Sequence, residues 1–346
     1  MGVISRWWVW ALLGLLVQLV PWPARLADAV YLGATLPAWS RVTAPLVAAV
    51  PGSLTAAVVL LGAAVLVAAL LWPGGRRHAG RALGWTVAVL LFTFPFAFGL
   101  GYRTTALAPA GEAAPPEAYA AAREAVLARL HAVASQGRAA LAAGPPDAGV
   151  LAACVEAAAG VRPGPSPAVP RAVKTVPPGA LLTVGFSGVV SPWLLEPHVD
   201  PAFPPAALTV VALHELAHTA GFAREAEAEA VALLAGLGCD DPAAAYAAAV
   251  RAAARLAARL PEEEREAYVA AWPAGALEDQ RAAAAAAERY RLDALARAAE
   301  RAYDAYLVSQ GTAGGMDDYD RATDALVRLL PLDPAPASPG DGVARR

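Results

Sequence analysis

The sequence predicts a mostly α-helical protein in two parts: a membrane domain with three transmembrane helices, then a larger helical domain with a small β-hairpin or edge strand. Hydrophobic residues make up 58% of the chain and charged residues only 16%, against about 25% charged in ordinary soluble domains. Three long apolar runs lie within the first hundred residues. Beyond them, apolar positions recur at spacings of three and four, which is typical of amphipathic helices.

Length and charge exclude several classes of protein. The 346 residues suffice for about two domains of ~150 residues with real cores, which excludes disorder throughout. The formal net charge of −3 and the pI near 6.0 give no basic field, so we expect no nucleic-acid partner. Cys154 and Cys239 are too few for a disulfide framework or a thiolate metal site, and the sequence leaves open whether they pair.

The three apolar runs predict spans at about 4–20, 54–72 and 82–100, within a membrane domain of residues 1–101. Each run has about the ~20 residues that a helix needs to cross a bilayer. The first run also fits a signal peptide, but the segment Val20–Pro23 that follows is a poor cleavage site. We therefore expect the first run to be retained as an anchor.

Arginines predict the orientation of these spans. The short loop between the second and third spans carries Arg76, Arg77 and Arg81 and no acid, so the positive-inside rule places it in the cytoplasm. Three spans then put everything after Tyr102 on the extracytoplasmic side. The lipid bilayer is accordingly an expected partner of the chain.

The sequence after the spans predicts one folded domain. Residues 102–115 are predicted as a linker, 116–330 as the extracytoplasmic domain, and the proline- and glycine-rich residues 331–346 as a disordered tail. Short strands are predicted at Leu181–Phe186 and Val189–Val190. Helices are predicted at residues 116–141, 150–159, from 205 onward, 242–260, 262–271, 277–309 and 317–330.

One short motif carries chemistry. His214, Glu215 and His218 form a His-Glu-x-x-His pattern on a predicted helix that ends near Gly221. Residues four apart differ by about 40° around a helix, so both imidazoles project from one face and can bind one metal ion. Glu215 lies beside them, where it can take a proton from metal-bound water. This pattern is typical of zinc hydrolases, with a pair of structural histidines as the alternative.

Zinc requires a third protein ligand and an open position for water. Three glutamates, Glu225, Glu227 and Glu229, follow the turn at Gly221. If a helix begins near Ala223, Glu225 and Glu229 share one face while Glu227 points about 200° away. We predict Glu225 as the third ligand and Glu229 as its neighbour, accepting a hydrogen bond from a ligand histidine. Glu227 is the alternative ligand. A solvated acidic helix face is the alternative for all three glutamates, and at least one of them must lie on it.

The run from His214 to Ala228 resembles the signature of an uncharacterised family of bacterial membrane proteins, a domain of unknown function. Its members have N-terminal spans and a gluzincin-like zinc peptidase domain. The resemblance covers most of the chain; its other carriers are residues 181–196, Tyr246, Tyr306, Leu307, Gly314 and Tyr319. It implies a zincin-like fold and a multi-pass protein of the bacterial inner membrane.

Other zinc-peptidase motifs fit less well or only in part. Glu225-x-x-Ala228-Glu229 resembles the Glu-x-x-Ala-Asp/Asn element that supplies a third ligand in several zinc peptidase families, with Glu229 in place of Asp or Asn. The metzincin pattern is matched only as far as Gly221, because Arg224 stands where the third histidine belongs. No acid lies within the three predicted spans, which argues against an intramembrane protease and predicts a zinc site outside the bilayer.

Two further residues are candidates for the cleft. His198 lies shortly before the zinc helix and Tyr246 lies in the helix after it, and either could stabilise the oxyanion of a tetrahedral intermediate. An ordinary surface or core role is the alternative for both. Tyr303, Tyr306 and Tyr319 are predicted to be packing residues.

Together these observations predict a membrane-anchored, zinc-dependent metallohydrolase that holds one Zn²⁺ ion. By analogy with other proteins that carry the motif, we expect a peptidase with a peptide or protein substrate. One alternative is a non-catalytic, metal-stabilised envelope module that binds partners. Another is a membrane assembly or transport component, against which the absence of acids and lysines in the spans counts.

Overall fold

The computed structural model describes residues 6–72, 75–107, 114–312 and 321–330. The described chain is mostly helical and contains a three-stranded β-sheet, which confirms the predicted helical class with a small amount of β-structure. The predicted tail, most of the predicted linker, and Gly314 and Tyr319 lie outside the described residues.

The N-terminal part is helical throughout most of its length. Its helices are α1 (Trp7–Leu19), α2 (Ala24–Ala27), α3 (Leu36–Ala49), α4 (Leu54–Leu71) and α5 (Gly75–Ala97). A π-helical segment, Asp28–Thr35, connects α2 to α3. Most of the region between the first and second predicted spans is therefore helical.

Two of the described helices, rather than the predicted three, are long and apolar enough to cross a membrane: Leu54–Leu71 and His78–Ala97. The prediction of a first span is wrong because α1 has only 13 residues. At 1.5 Å per residue this is roughly 20 Å, short of the ~30 Å hydrocarbon core. α1 instead packs in parallel along α5, where Gly14 lies against Leu91.

The second part contains the remaining described helices. They are α6 (Pro116–Ala143), α7 (Ala148–Ala158), α8 (Pro205–Thr219), α9 (Glu225–Leu237), α10 (Pro242–Ala257), α11 (Glu262–Ala270), α12 (Ala276–Tyr290), α13 (Asp293–Ser309) and α14 (Arg321–Leu329). The single helix predicted over 277–309 is divided at Arg291 and Leu292. The break occurs because the Leu292 N–H bonds to the Thr183 carbonyl at 3.1 Å instead of to its own helix.

The sheet has the order β1-β3-β2, with β1 (Lys174–Thr175), β2 (Gly188–Ser191) and β3 (Glu196–Val199). β1 runs parallel to β3, whereas β2 and β3 form an antiparallel hairpin. The prediction of a strand at Leu181–Phe186 is wrong, because Leu182–Val184 within this segment forms a 3₁₀ turn. The Asp200 carboxylate accepts hydrogen bonds from three backbone N–H groups of residues 179–182, so these groups are engaged outside the strand ladder.

Two apolar clusters hold α8 and α9 between them. One joins α7, α8 and α9 around Leu213, Leu216 and Val231, and the other joins α6, α10 and α14 around Leu130 and Leu256. Alanine faces let these helices approach closely. A disulfide between Cys154 and Cys239, with a Cα–Cα distance of 5.5 Å, links α7 to the segment after α9.

Candidate metal centre

The turn after α8 decides which residues can meet its histidines. Gly221 ends the helix in the left-handed region at φ 97°, and a Cβ there would overlap the Leu36 side chain. The N–H groups of Gly221 and Phe222 bond back to the carbonyls of His218 and Ala217 at 3.0 and 3.3 Å, as in a glycine-capped helix end. The chain therefore reverses at once, and α9 begins beside the last turns of α8.

Three ligand-type side chains converge at this reversal, and we call His214, His218 and Glu225 the metal cluster. The Glu225 carboxylate oxygen Oε2 lies 3.1 Å from His214 Nε2 and 3.5 Å from His218 Nε2. One ligand atom from each residue lies within 4.8 Å of the others. All three side chains are buried, so a single cation could contact one atom of each.

Each histidine is held through its other ring nitrogen. His214 Nδ1 lies 3.1 Å from Glu229 Oε2, and His218 Nδ1 lies 2.8 Å from the Phe222 carbonyl. These partners orient both rings so that Nε2 faces Glu225. Glu229 thus lies at the predicted position behind a histidine of the cluster, His214.

The metal cluster forms part of the wall of a cavity of about 810 Å³. Glu215 lines the same cavity, and the edge strand β2 runs so close that a Cβ on Gly188 would overlap the Glu215 carboxylate. The remaining lining includes apolar residues of α5, β2, α8 and α13. The arrangement brings a carboxylate, two imidazoles and a second carboxylate to one accessible space.

A family model described as a protein of unknown function, DUF3810, matches residues 31–327. The chain belongs to this family. The match covers both candidate spans and the whole metal cluster, which confirms the predicted membership in a family of unknown function. No curated protein and no solved structure matches this DUF3810 chain.

The buried ionisable groups in and beside the metal cluster have different pKa shifts. Burial raises the pKa of Glu215 to about 7, despite the opposing histidines. Burial alone would lower the pKa of His214, but its bonds to Glu225 and Glu229 raise it to about 10. Burial would raise the pKa of Glu225 too, yet His218 and His214 hold it well below its ordinary value. Glu215 is therefore the carboxylate of this set that exchanges protons most easily near neutral pH.

Glu229 is fixed by two cations from α10. Its Oε1 accepts hydrogen bonds from Arg255 at 2.7 Å and from Arg251 at 3.0 Å. Burial would raise the pKa of Glu229, but these two guanidinium groups hold it well below its ordinary value. An ionised Glu229 keeps a proton on His214 Nδ1, so Nε2 is the nitrogen at which a cation would replace a proton.

The alternative third ligand, Glu227, lies outside the cluster. It forms ion pairs with Arg162 at 2.7 Å and Arg224 at 3.0 Å, and it accepts the Leu107 N–H at 3.0 Å. Arg224 also donates to the carbonyls of the segment that follows α5. In this DUF3810 member Glu227 links α9 to the segment that follows α5, and it points away from Glu225 and Glu229 as the helical phase predicts.

Two predicted cleft residues lie elsewhere. His198 is on the face of β3 that turns towards α4, and its Nε2 lies 2.8 Å from Ser53 Oγ. Tyr246 is fully buried where α10 packs on α6, and its hydroxyl donates to Asp279 Oδ2 at 2.5 Å. Neither residue lines the cavity. The prediction that these two residues line the cleft was wrong. The register of β3 decides which way the His198 side chain points, and the packing of α10 on α6 decides it for Tyr246, whereas nearness to the motif in sequence decides neither.

Sequence reasoning missed the tyrosines of α13. The Tyr303 hydroxyl donates to Glu225 Oε1, and Tyr303 and Tyr306 both line the cavity. The aromatic ring of Tyr306 also meets that of Tyr102, with 5.8 Å between centroids. Seventy-eight residues separate Tyr303 from Glu225, so no local spacing indicates the contact. The resemblance at Tyr306 and Leu307 was the one sequence signal in this helix.

Proposed function

We propose that this DUF3810 protein is a membrane-anchored zinc metallohydrolase that acts as a peptidase. One observation carries the proposal: His214 Nε2, His218 Nε2 and a Glu225 oxygen converge within 4.8 Å beside a cavity of about 810 Å³. Two imidazoles and one carboxylate are the donor set of a catalytic zinc site, which keeps a fourth position open. Structural zinc sites instead use four protein ligands.

The donors also fit zinc in their surroundings. Each imidazole gives its Nδ1 side to a carboxylate or carbonyl, which is the usual support of a zinc-ligating histidine. Tyr303 fixes the carboxylate of Glu225 from its other oxygen. When bound, Zn²⁺ supplies a Lewis acid that polarises a carbonyl and lowers the pKa of water.

Two residues of the chain have further roles in the proposed reaction. The Glu215 carboxylate faces the cavity and is the general base, accepting a proton from the attacking water at one oxygen. It returns that proton to the leaving amine nitrogen. Tyr303 is a positioning residue, because its hydroxyl holds Glu225 in line with both histidines.

We also propose that the metal cluster lies on the extracytoplasmic side. α4 begins at the sheet and the segment after α5 contacts Arg224 at the start of α9, so the end of α4 and the beginning of α5 lie away from the metal cluster. The arginines near the beginning of α5, Arg76, Arg77 and Arg81, favour the cytoplasm under the positive-inside rule. The disulfide between Cys154 and Cys239 supports an oxidising compartment for the second part.

Metal content of the full-length protein in detergent tests the proposal. Wild type should hold close to one zinc per chain after incubation with zinc and desalting, and His214→Ala should hold almost none, because one of three ligands is lost. His198→Ala is the matched control, since it removes another buried histidine and should keep the zinc. Equal, negligible content in wild type and His214→Ala would end the proposal.

A further inference from the structure

We infer that the site takes peptide segments that leave the lipid bilayer next to α5, with apolar side chains on the membrane side of the scissile bond. The inference rests on the proposed function and names its substrate class. It is carried by the position of the cavity, by the aromatic residues in its wall and by the change of polarity along that wall.

The end of the second candidate span forms one wall of the cavity. Phe94 lies within that span and Phe98 directly after its last residue, Ala97. The Phe98 ring is 6.2 Å from the His218 ring, centroid to centroid. The metal cluster is therefore one side-chain layer away from the point where α5 leaves the membrane.

Two tryptophans lie near Phe94 at this end of the second candidate span. Trp193, in the turn between β2 and β3, lies 5.8 Å from Phe94 between ring centroids. Its carbonyl accepts the indole N–H of Trp39 at 2.6 Å, and Trp39 is 42% exposed. Tryptophans concentrate where a membrane protein meets the headgroup region. The cavity wall at Phe94 thus lies at the bilayer surface rather than in open water.

The two ends of the cavity differ in polarity. Near His218 the lining is apolar and aromatic, with Phe94, Phe98, Tyr102, Tyr306 and Val190. Beyond His214 the lining combines the charged and amide side chains of Glu229, Arg251, Asp279 and Gln280 with the small apolar side chains of Ala247, Val250 and Ala283. A fully water-soluble peptide would leave the first wall without apolar partners. A peptide with apolar side chains on one side of the scissile bond and polar side chains on the other would match both ends of the cavity.

Binding of two peptide hydroxamates to the zinc-loaded, full-length protein in nanodiscs tests the inference without a cleavage assay. Both probes have the same length, one with Leu and Phe side chains and the other with Ser and Asn. We expect the apolar probe to bind at least about tenfold more tightly, the gain from burying one such side chain. Phe94→Ala should bring the ratio to within about threefold by removing much of that contact.

Phe92→Ala is the matched control, because Phe92 lies on the same helix but faces Trp10, with 5.3 Å between ring centroids. The Phe92→Ala variant should keep the wild-type ratio of the two affinities. Any preference for the apolar probe that comes from the lipid of the nanodisc is present in this variant too. If Phe94→Ala loses its zinc, Val190→Thr replaces it, since threonine keeps the shape and adds a hydroxyl to the apolar wall. This variant should likewise reduce the ratio.

The outcomes separate the two proposals. Equal affinity of the two probes, or a ratio that Phe94→Ala and Val190→Thr leave unchanged, overturns the inference while the zinc site stands. Failure of both probes to bind zinc-loaded protein overturns the inference and the catalytic role together. If a dodecyl hydroxamate binds more tightly than the apolar peptide hydroxamate, the occupant of the cavity is a lipid chain. That result would also overturn the inference.

Discussion

Among the residues that the structure describes, two buried histidine–glutamate clusters can be compared, and one of them has the geometry of a metal site. The metal cluster joins α8 to α9, whereas the second, which we call the junction cluster, consists of Glu196, His198 and the start of α4 at Ser53 and Thr55. In the junction cluster His198 Nε2 lies 3.5 Å from Glu196 Oε2. By burial and residue type alone the two clusters look similar.

The hydrogen bonds distinguish them. Glu196 accepts the N–H groups of Leu54 and Thr55 at 2.8 and 2.7 Å and the hydroxyl of Thr55 at 2.5 Å. Burial would raise the pKa of Glu196, but these donors from Thr55 and Leu54 lower it. This carboxylate satisfies the free N–H groups at the beginning of a helix. In the metal cluster, by contrast, carboxylate and imidazole atoms converge on a common point beside a cavity.

The comparison teaches that contact between a histidine and a glutamate does not by itself indicate a metal site. The number of ligand atoms that converge, and the space they face, decide it. A substitution in one cluster can therefore be controlled by a substitution in the other cluster or at a neighbouring residue.

The largest expected effect follows from removing the proposed base. Glu215→Gln should reduce kcat/KM by about 10²- to 10⁴-fold, the usual contribution of a general base, while zinc content stays at the wild-type level. The measurement uses a fluorogenic peptide with an apolar flank and protein in nanodiscs. Glu196→Gln in the junction cluster should leave the rate within about twofold.

This pair of variants also tests the non-catalytic alternative. A module in which the metal only supports the fold would show no hydrolysis in wild type, and Glu215→Gln would change neither zinc content nor thermal stability. A loss of zinc in Glu215→Gln would contradict the assignment of Glu215 as base rather than ligand.

A smaller effect is expected from the residue behind His214. Glu229→Ala should weaken zinc binding by about 10- to 100-fold, as the loss of a carboxylate that orients a ligand histidine typically does. Competition with a zinc chelator measures the affinity. Glu227→Ala, on the same helix and equally buried, is the control and should change zinc affinity little. Equal losses in both variants would mean that general damage to α9 is the cause.

The contact of Tyr303 with Glu225 should matter less. Tyr303→Phe removes one hydrogen bond, worth about 0.5–1.5 kcal/mol, so zinc affinity should fall by roughly 2- to 12-fold. Tyr306→Phe, one helical turn further along α13, should leave zinc affinity unchanged. An unchanged affinity in Tyr303→Phe would show that Tyr303 does not position the ligand.

The smallest change concerns the junction cluster. His198→Asn should lower the free energy of unfolding by about 1 kcal/mol through the lost hydrogen bond to Ser53. Thermal unfolding in detergent, with zinc content measured on the same sample, checks both parts. A loss of zinc in this variant would contradict the separation of the two clusters.

The sequence by itself determined the features that depend on local geometry. The spacing of His214 and His218 puts both imidazoles on one helix face, and the turn at Gly221 returns the chain to them. The phase of the next helix then separates Glu225 and Glu229 from Glu227. All of these residues lie within sixteen positions of one another, and helix periodicity relates their directions. Hydropathy likewise indicated the two long apolar helices.

Only the tertiary structure decided which distant segments meet at the site. Tyr303 reaches Glu225 across 78 residues, Phe98 comes to His218 from the end of α5, and Cys154 pairs with Cys239. Tertiary packing also turned His198 away towards α4. Periodicity relates neighbours along one helix or strand, whereas contacts between segments depend on how their surfaces fit together, and no spacing within either segment encodes that fit.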